Sequence, residues 1–191
     1  KDLDEAISIT QAQMTWDGMF ASLGGNDVHP PLHHIVLWVL AHTLGTGEWV
    51  MRAPSILAGT LLIPALYALA HVLWDRRAGL LAAAMGSVAP FLVWYAQEAR
   101  MYALVTLLAT LATAALVRFL RTGRGAWLFV IAAGGALYTQ YYAYLLVVAQ
   151  VALAAAILRD QRRHLARLAL ACAALALVAA PWLPVILRDF R

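Results

Sequence analysis

The hydrophobic positions of this chain fall into blocks. Apolar runs of 16 to 23 residues, roughly 53–74, 78–96, 101–117, 126–141, 143–158 and 165–187, are separated by short charged clusters. Runs of that length match helices crossing a hydrocarbon core about 30 Å thick. Alternation of period two is absent and Leu and Ala dominate, so the runs predict helices and not barrel strands. Two weaker patterns precede them. Residues 1–25 space Leu3, Ile7, Ile9, Met14, Trp16, Met19, Phe20 and Leu23 as an amphipathic helix lying at the interface would, and Gly24-Gly25-Asn26-Asp27 ends it. His29-Pro30-Pro31 then opens an apolar piece, Leu32 to Leu44, closed by Gly45-Thr46-Gly47-Glu48. It is short for a span and predicts a re-entrant or interfacial helix.

Composition agrees with this pattern. With 63% hydrophobic and 13% charged residues the chain is excluded from the soluble globular class. The expected fold is an all-α membrane protein: a polytopic helical bundle with an outer-face interfacial or re-entrant segment before the first complete span. The net charge of +4 would suit nucleic acid, but the basic residues sit in turns between spans, where they report topology; no nucleic-acid partner is expected. The single cysteine, Cys172, lies inside an apolar run and allows no intramolecular disulfide. The chain opens on Lys1 in a polar segment without an initiator Met or signal peptide. It therefore reads as a fragment lacking its first helix and any C-terminal domain: one transmembrane module over residues 1–191, with an outer-face loop and juxtamembrane helices over 1–50 and about six transmembrane helices over 51–191.

Charge counting orients the bundle, because Lys and Arg favour the cytoplasmic side. Arg76, Arg77, Arg118, Arg121, Arg124, Arg159, Arg162, Arg163 and Arg167, nine of fourteen basic residues, go inside with only Asp75 and Asp160; the other eight of ten acids go outside. Residues 126–158 as one helix would be about 50 Å long and would put the Arg159–Arg167 cluster outside. Two short spans turning near Tyr138-Thr139-Gln140-Tyr141-Tyr142 satisfy both constraints. Four polar stretches then share the outer face: Asp2 to Glu5, His29 to His34, Gln97 to Tyr102 and Thr139 to Tyr144.

Each stretch carries candidate chemistry beside a plainer reading. Asp4 and Glu5 point about 100° apart on a helix, so they cannot share a proton as a dyad; one is free to face a cavity while the other takes a structural or metal role. Acids suiting a helix N-terminus are the plain alternative. His29, His33 and His34 diverge too far for a good three-His zinc site, and His33 and His34 read best as interfacial residues pointing to headgroups. Glu98 and Arg100 sit in a loop so short that they stay close to the bundle, and Arg100 beside Tyr102 suits a lipid phosphate or an interfacial anchor. Aromatics at the outer ends, Trp94, Tyr95, Tyr102, Tyr138, Tyr141, Tyr142, Tyr144 and Trp182, fit an aromatic belt, with sugar stacking open to one or two of them.

The order Leu3-Asp4-Glu5-Ala6-Ile7-Ser8, His29-Pro30-Pro31-Leu32, Arg52-Ala53-Pro54-Ser55, Gln97-Glu98-Ala99-Arg100-Met101-Tyr102-Ala103-Leu104 and Tyr138-Thr139-Gln140-Tyr141-Tyr142-Ala143 resembles the GT-C glycosyltransferases. The similarity is closest to the bacterial branch near the protein O-mannosyltransferases and the aminoarabinose transferase of lipid A. It implies a plasma-membrane (inner-membrane) enzyme moving a sugar from a polyprenyl-phosphate donor to a glycan, lipid or protein acceptor on the extracytoplasmic face, among membrane lipids. Asp4 corresponds to the catalytic carboxylate, with Glu5 beside it. His29, Glu98, Arg100 and Tyr102, then Gln140 and Tyr141, would line the substrate site. Many relatives carry histidine where Gln140 stands, which weakens a metal or acid role for that loop. No cofactor is assigned, although a divalent cation is an alternative partner for the departing phosphate. The resemblance to one essential carboxylate favours a single, inverting displacement. A transporter or flippase using Glu98 and Arg100, or a non-catalytic membrane subunit, are the competing classes; charges at one face and no inverted repeat speak against transport.

Overall fold

The computed structural model describes residues 3–25, 30–182 and 184–185, and for Leu3 and Asp4 the backbone only. Among the described residues there are ten helices and no strand: α1 (Leu3–Ala12), α2 (Trp16–Gly25), α3 (Leu32–Leu44), α4 (Glu48–Leu73), α5 (Arg76–Val88), α6 (Pro90–Ala96), α7 (Tyr102–Thr122), α8 (Ala126–Leu137), α9 (Ala143–Ile157) and α10 (Arg162–Ala179). The chain is an all-α membrane protein. α4 and α7 are long and apolar enough to cross a bilayer singly, and α5 with α6 is so as a bent pair; α3, α8 and α9 are shorter apolar helices.

Expected and observed helices differ in continuity at two places. The single amphipathic helix expected over 1–25 is two. Thr15 Oγ1 accepts from the Gly18 N–H at 3.3 Å and so caps a new helix, while the Met14 carbonyl leaves the helical ladder and takes the Trp38 indole N–H at 2.9 Å. The run 78–96 is likewise broken, with α5 and α6 bent by 62°. Pro90 has no N–H to give and holds Ala89 extended, at φ −67° and ψ 113°, so the helix restarts on a new axis. By contrast α3 occupies the stretch expected of it, and the break between α8 and α9 falls on Tyr138–Tyr142 as the charge argument required.

In lipid, helix association depends on close packing more than on burial of apolar area, and small residues permit it. α7 is the central element, packed on α4 and α8. Ala58, Leu62 and Ala65 of α4 meet Ala103 and Leu107 of α7, while Phe119, Phe129, Leu158 and Leu168 form the heart of a larger cluster over α7–α10. Gly59 lets α4 approach α6 so closely that a Cβ there would lie 2.5 Å from the Cβ of Ala96. Leu57, Leu61, Leu81, Met85, Leu145 and Leu153 face outward, as lipid contact requires.

The helices run between two rims of opposite character. At one, Arg121 Nη2 donates to the Leu73 carbonyl at 2.8 Å and Arg167 Nη1 to the Gly123 carbonyl at 2.9 Å, so arginines satisfy carbonyls at the C-terminal ends of α4 and α7. The turns 73–76, 122–126 and 158–162 are thereby gathered into an arginine rim. The opposite rim holds Glu5, Arg52, Ala99 and Tyr138, and there the polar stretches converge.

Candidate active site

The convergence is built around the backbone of residues 97–101. Ala99 is fully buried, and both its peptide groups are held from other elements. Its N–H donates to Glu5 Oε1 of α1 at 3.3 Å, and its carbonyl lies 3.4 Å from His33 Nε2 of α3. The next carbonyl, that of Arg100, accepts from Ser55 Oγ of α4 at 3.0 Å. A turn inside a membrane protein exposes backbone groups that water does not reliably solvate, so partners from three helices meet a physical need and fix the turn in place.

Glu5 is the hub. It is 6% exposed, and such a carboxylate needs charge compensation. Arg52 Nε donates to Glu5 Oε1 at 3.1 Å and Arg52 Nη2 to Oε2 at 3.4 Å, a two-pronged pairing across 47 residues of sequence; Arg52 Nη1 meets Glu48 at 2.8 Å on its own helix. Arg52 and Ser55 stand three residues apart, hence on one face of α4. In the sequence Arg52 and Ser55 stand out only as the ends of the Arg52-Ala53-Pro54-Ser55 motif. The available signal was polar residues at helical spacing just inside the start of an apolar run.

On the far side of this turn, Arg100 reaches Tyr102. Its Nη2 donates to the Tyr102 hydroxyl at 3.2 Å, with Cζ 5.2 Å from the ring centre. Tyr95 of α6 lies against the same ring at 4.6 Å. Glu98 accepts from the Trp94 indole. The hexapeptide is thus one wall whose acidic and basic side chains are each seated on an aromatic.

α3 ties the second wall to the first. The Leu32 N–H donates to the Tyr138 carbonyl at 2.8 Å, and the Tyr138 hydroxyl donates to the Val178 carbonyl at 2.7 Å, joining α3, α8 and α10. Gln140 is buried in this turn with its Oε1 lacking a hydrogen-bond partner among the described residues. Tyr141 stands 4.2 Å, ring to ring, from the exposed Tyr142. His33 and His34, expected at headgroups, are buried instead, their rings 5.8 Å apart, because the first turn of α3 is enclosed between residues 97–101 and Tyr138.

The structure therefore brings Glu5, Arg100 with Tyr102, and Gln140 with Tyr141 to one rim, opposite the arginines. Asp4 is placed by its backbone on the first turn of α1, next to Glu5. His29 lies outside the described residues. Among the described residues no three His, Cys, Asp or Glu side chains come together to hold a metal ion.

No curated protein and no solved structure matches the chain. A family model does: that of dolichyl-phosphate-mannose-protein mannosyltransferase, over residues 28–187. It spans every helix from α3 to α10, including both walls of the rim, and starts after Asp4 and Glu5. With most of its length accounted for in this way, the chain belongs to the dolichyl-phosphate-mannose-protein mannosyltransferase family, as a mannosyltransferase-like glycosyltransferase module of the GT-C type.

Proposed function

We propose that the protein transfers a sugar from a polyprenyl-phosphate donor to a hydroxyl of a glycan, lipid or protein acceptor, at the extracytoplasmic surface of the plasma membrane. The observation that carries this reading is the grip of the Glu5 carboxylate on the Ala99 N–H, which sets the start of α1 beside the turn bearing Arg100, 94 residues away. A carboxylate and a cation at one rim are what the reaction needs. Polyprenyl phosphate is already a good leaving group, so catalysis consists of taking the acceptor's proton and stabilising the phosphate that departs.

Asp4 is the base. As it accepts the proton, the acceptor oxygen attacks the anomeric carbon and the bond from that carbon to the phosphate oxygen breaks, its electron pair leaving with the phosphate. Arg100 offers the leaving group a guanidinium, with Tyr102 beneath it. A single displacement inverts the anomeric centre. Neighbouring residues on a helix diverge by about 100°, so Glu5, committed to Arg52 and Ala99, acts as the positioning partner of Asp4. His29, Glu98, Gln140 and Tyr141 complete the substrate-binding set. In this reading residues 1–50 are the outer-face part, and α4, α5 with α6, α7, α8, α9 and α10 make six passes, the arginine rim lying in the cytoplasm.

The test is transfer from a radiolabelled polyprenyl-phosphate sugar in membranes containing Asp4→Asn. The variant is expected to insert normally and to lose about a hundred- to ten-thousand-fold in rate, the usual worth of a general base. Wild-type transfer by Asp4→Asn sinks the proposal.

A further inference from the structure

Beyond the polar turn an aromatic row begins, of which the chemistry above uses only the first ring, Tyr102. Phe91 and Tyr95, one helical turn apart on α6, stand edge to face with centroids 4.4 Å apart; Tyr95 meets Tyr102 at 4.6 Å; and Tyr102 carries the Arg100 guanidinium at 5.2 Å. Arg100, Tyr102 and Tyr95 are half-buried, and Phe91 is 68% exposed. A cation stands at one end of the row and an open ring at the other. An interfacial belt presents a polar tip to the water from each ring; here three rings touch in succession starting from the cation, and Phe91 has no polar tip. The bend at Ala89–Pro90 sets this aromatic face independently of α5, whose Gly79 and Gly86 pack on Tyr67 and Leu66 of α4.

We propose that the Tyr102–Tyr95–Phe91 row seats the first isoprene units of the lipid donor, leading the hydrocarbon from the phosphate at Arg100 to the lipid-facing side of α6. The inference rests on the reading of Arg100 as the phosphate partner. Its own support is complementarity along the row. The ligand is an amphiphile with one anionic end and a branched, unsaturated chain, and the protein offers one cation followed by continuous ring surface. The acid of this turn, Glu98, accepts from Trp94 on α6.

Equilibrium binding to the full chain in detergent micelles tests it, with three probes: a long-chain polyprenyl phosphate, ethyl phosphate and a saturated phosphatidic acid. Phe91→Ser and Tyr95→Ser are expected to weaken polyprenyl phosphate about tenfold each, the equivalent of one or two buried methylenes, while leaving ethyl phosphate unchanged. Tyr95→Phe, which keeps the ring, should bind as the wild type does. Arg100→Gln should weaken polyprenyl and ethyl phosphate alike. Unchanged polyprenyl-phosphate binding by both serine variants, with Arg100→Gln still impaired, overturns the row and spares the catalytic reading. Equal loss of phosphatidic acid marks a seat for bulk lipid and also overturns it. No effect of Arg100→Gln on either phosphate removes the underlying reading itself.

Discussion

At the scale of single residues, the rim shows how a buried carboxylate is held. Glu5 is turned into the structure, where Arg52 compensates its charge and the Ala99 N–H takes part of its hydrogen-bonding capacity. Removing either partner should have unequal consequences. Glu5→Gln keeps an acceptor for the Ala99 N–H and leaves Arg52 paired with Glu48, so a loss of about 1 kcal/mol is expected. Arg52→Met withdraws the guanidinium from a buried carboxylate and should cost about 2–3 kcal/mol, below the range for fully buried pairs because Arg52 is partly solvated. Thermal unfolding in detergent measures both; equal melting shifts would contradict the asymmetry. The adjacency of Asp4 and Glu5 and their divergence were legible in sequence. That Glu5 finds Arg52 was not, since nothing local connects residues 47 positions apart.

Helices show where local rules were enough and where they failed. Proline chemistry predicts a break at Ala89–Pro90, yet an apolar run of span length masked it, because hydropathy averages over a bend. Similarly, residues 1–25 have an amphipathic pattern that continues through Thr15, and only the capping hydroxyl shows the restart. The contact between α4 and α6 is sharper still. Gly59→Leu should force the two helices apart at Ala96, one residue before the polar turn, at a cost of about 1–3 kcal/mol for overpacking. The displacement should also raise KM for the lipid donor; a variant that melts lower with unchanged KM would show that α6 does not set the turn. At the opposite rim Gly123 has φ of +67° and would place a Cβ against the His164 ring, so Gly123→Ala should destabilise the α7–α8 turn by ~1–2 kcal/mol without changing KM.

For the molecule as a whole, counting charges predicts an acidic and an arginine rim, and among the described residues Arg121 and Arg167 do gather the turns of one end. α7 separates Arg100 from Arg121 by its full length, and Arg121 joins the end of α4. The orientation of those rims is open to direct measurement. With the native cysteine replaced as Cys172→Ala, a cysteine at Gln97 should react with an impermeant thiol reagent added outside intact cells. One at Arg124 should react only after the membrane is opened. The reverse pattern would place the polar turn in the cytoplasm and remove an extracytoplasmic reaction. The short α8 and α9, about 18 and 22 Å at 1.5 Å per residue, require local thinning or a shielded neighbourhood if they cross.

By itself the sequence determined that this is a helical membrane protein, roughly where its helices lie, and which polar stretches share a face, because each depends on composition, run length and charge asymmetry. The tertiary structure decided which side chains touch. Glu5 on Ala99, His33 buried where a headgroup contact was expected, Ser55 on Arg100, and the ring-to-ring path from Arg100 to Phe91 depend on helices brought together across long separations. A hydropathy pattern holds no information about pairings of that kind, since each is chosen by packing and by the need to satisfy buried polar groups.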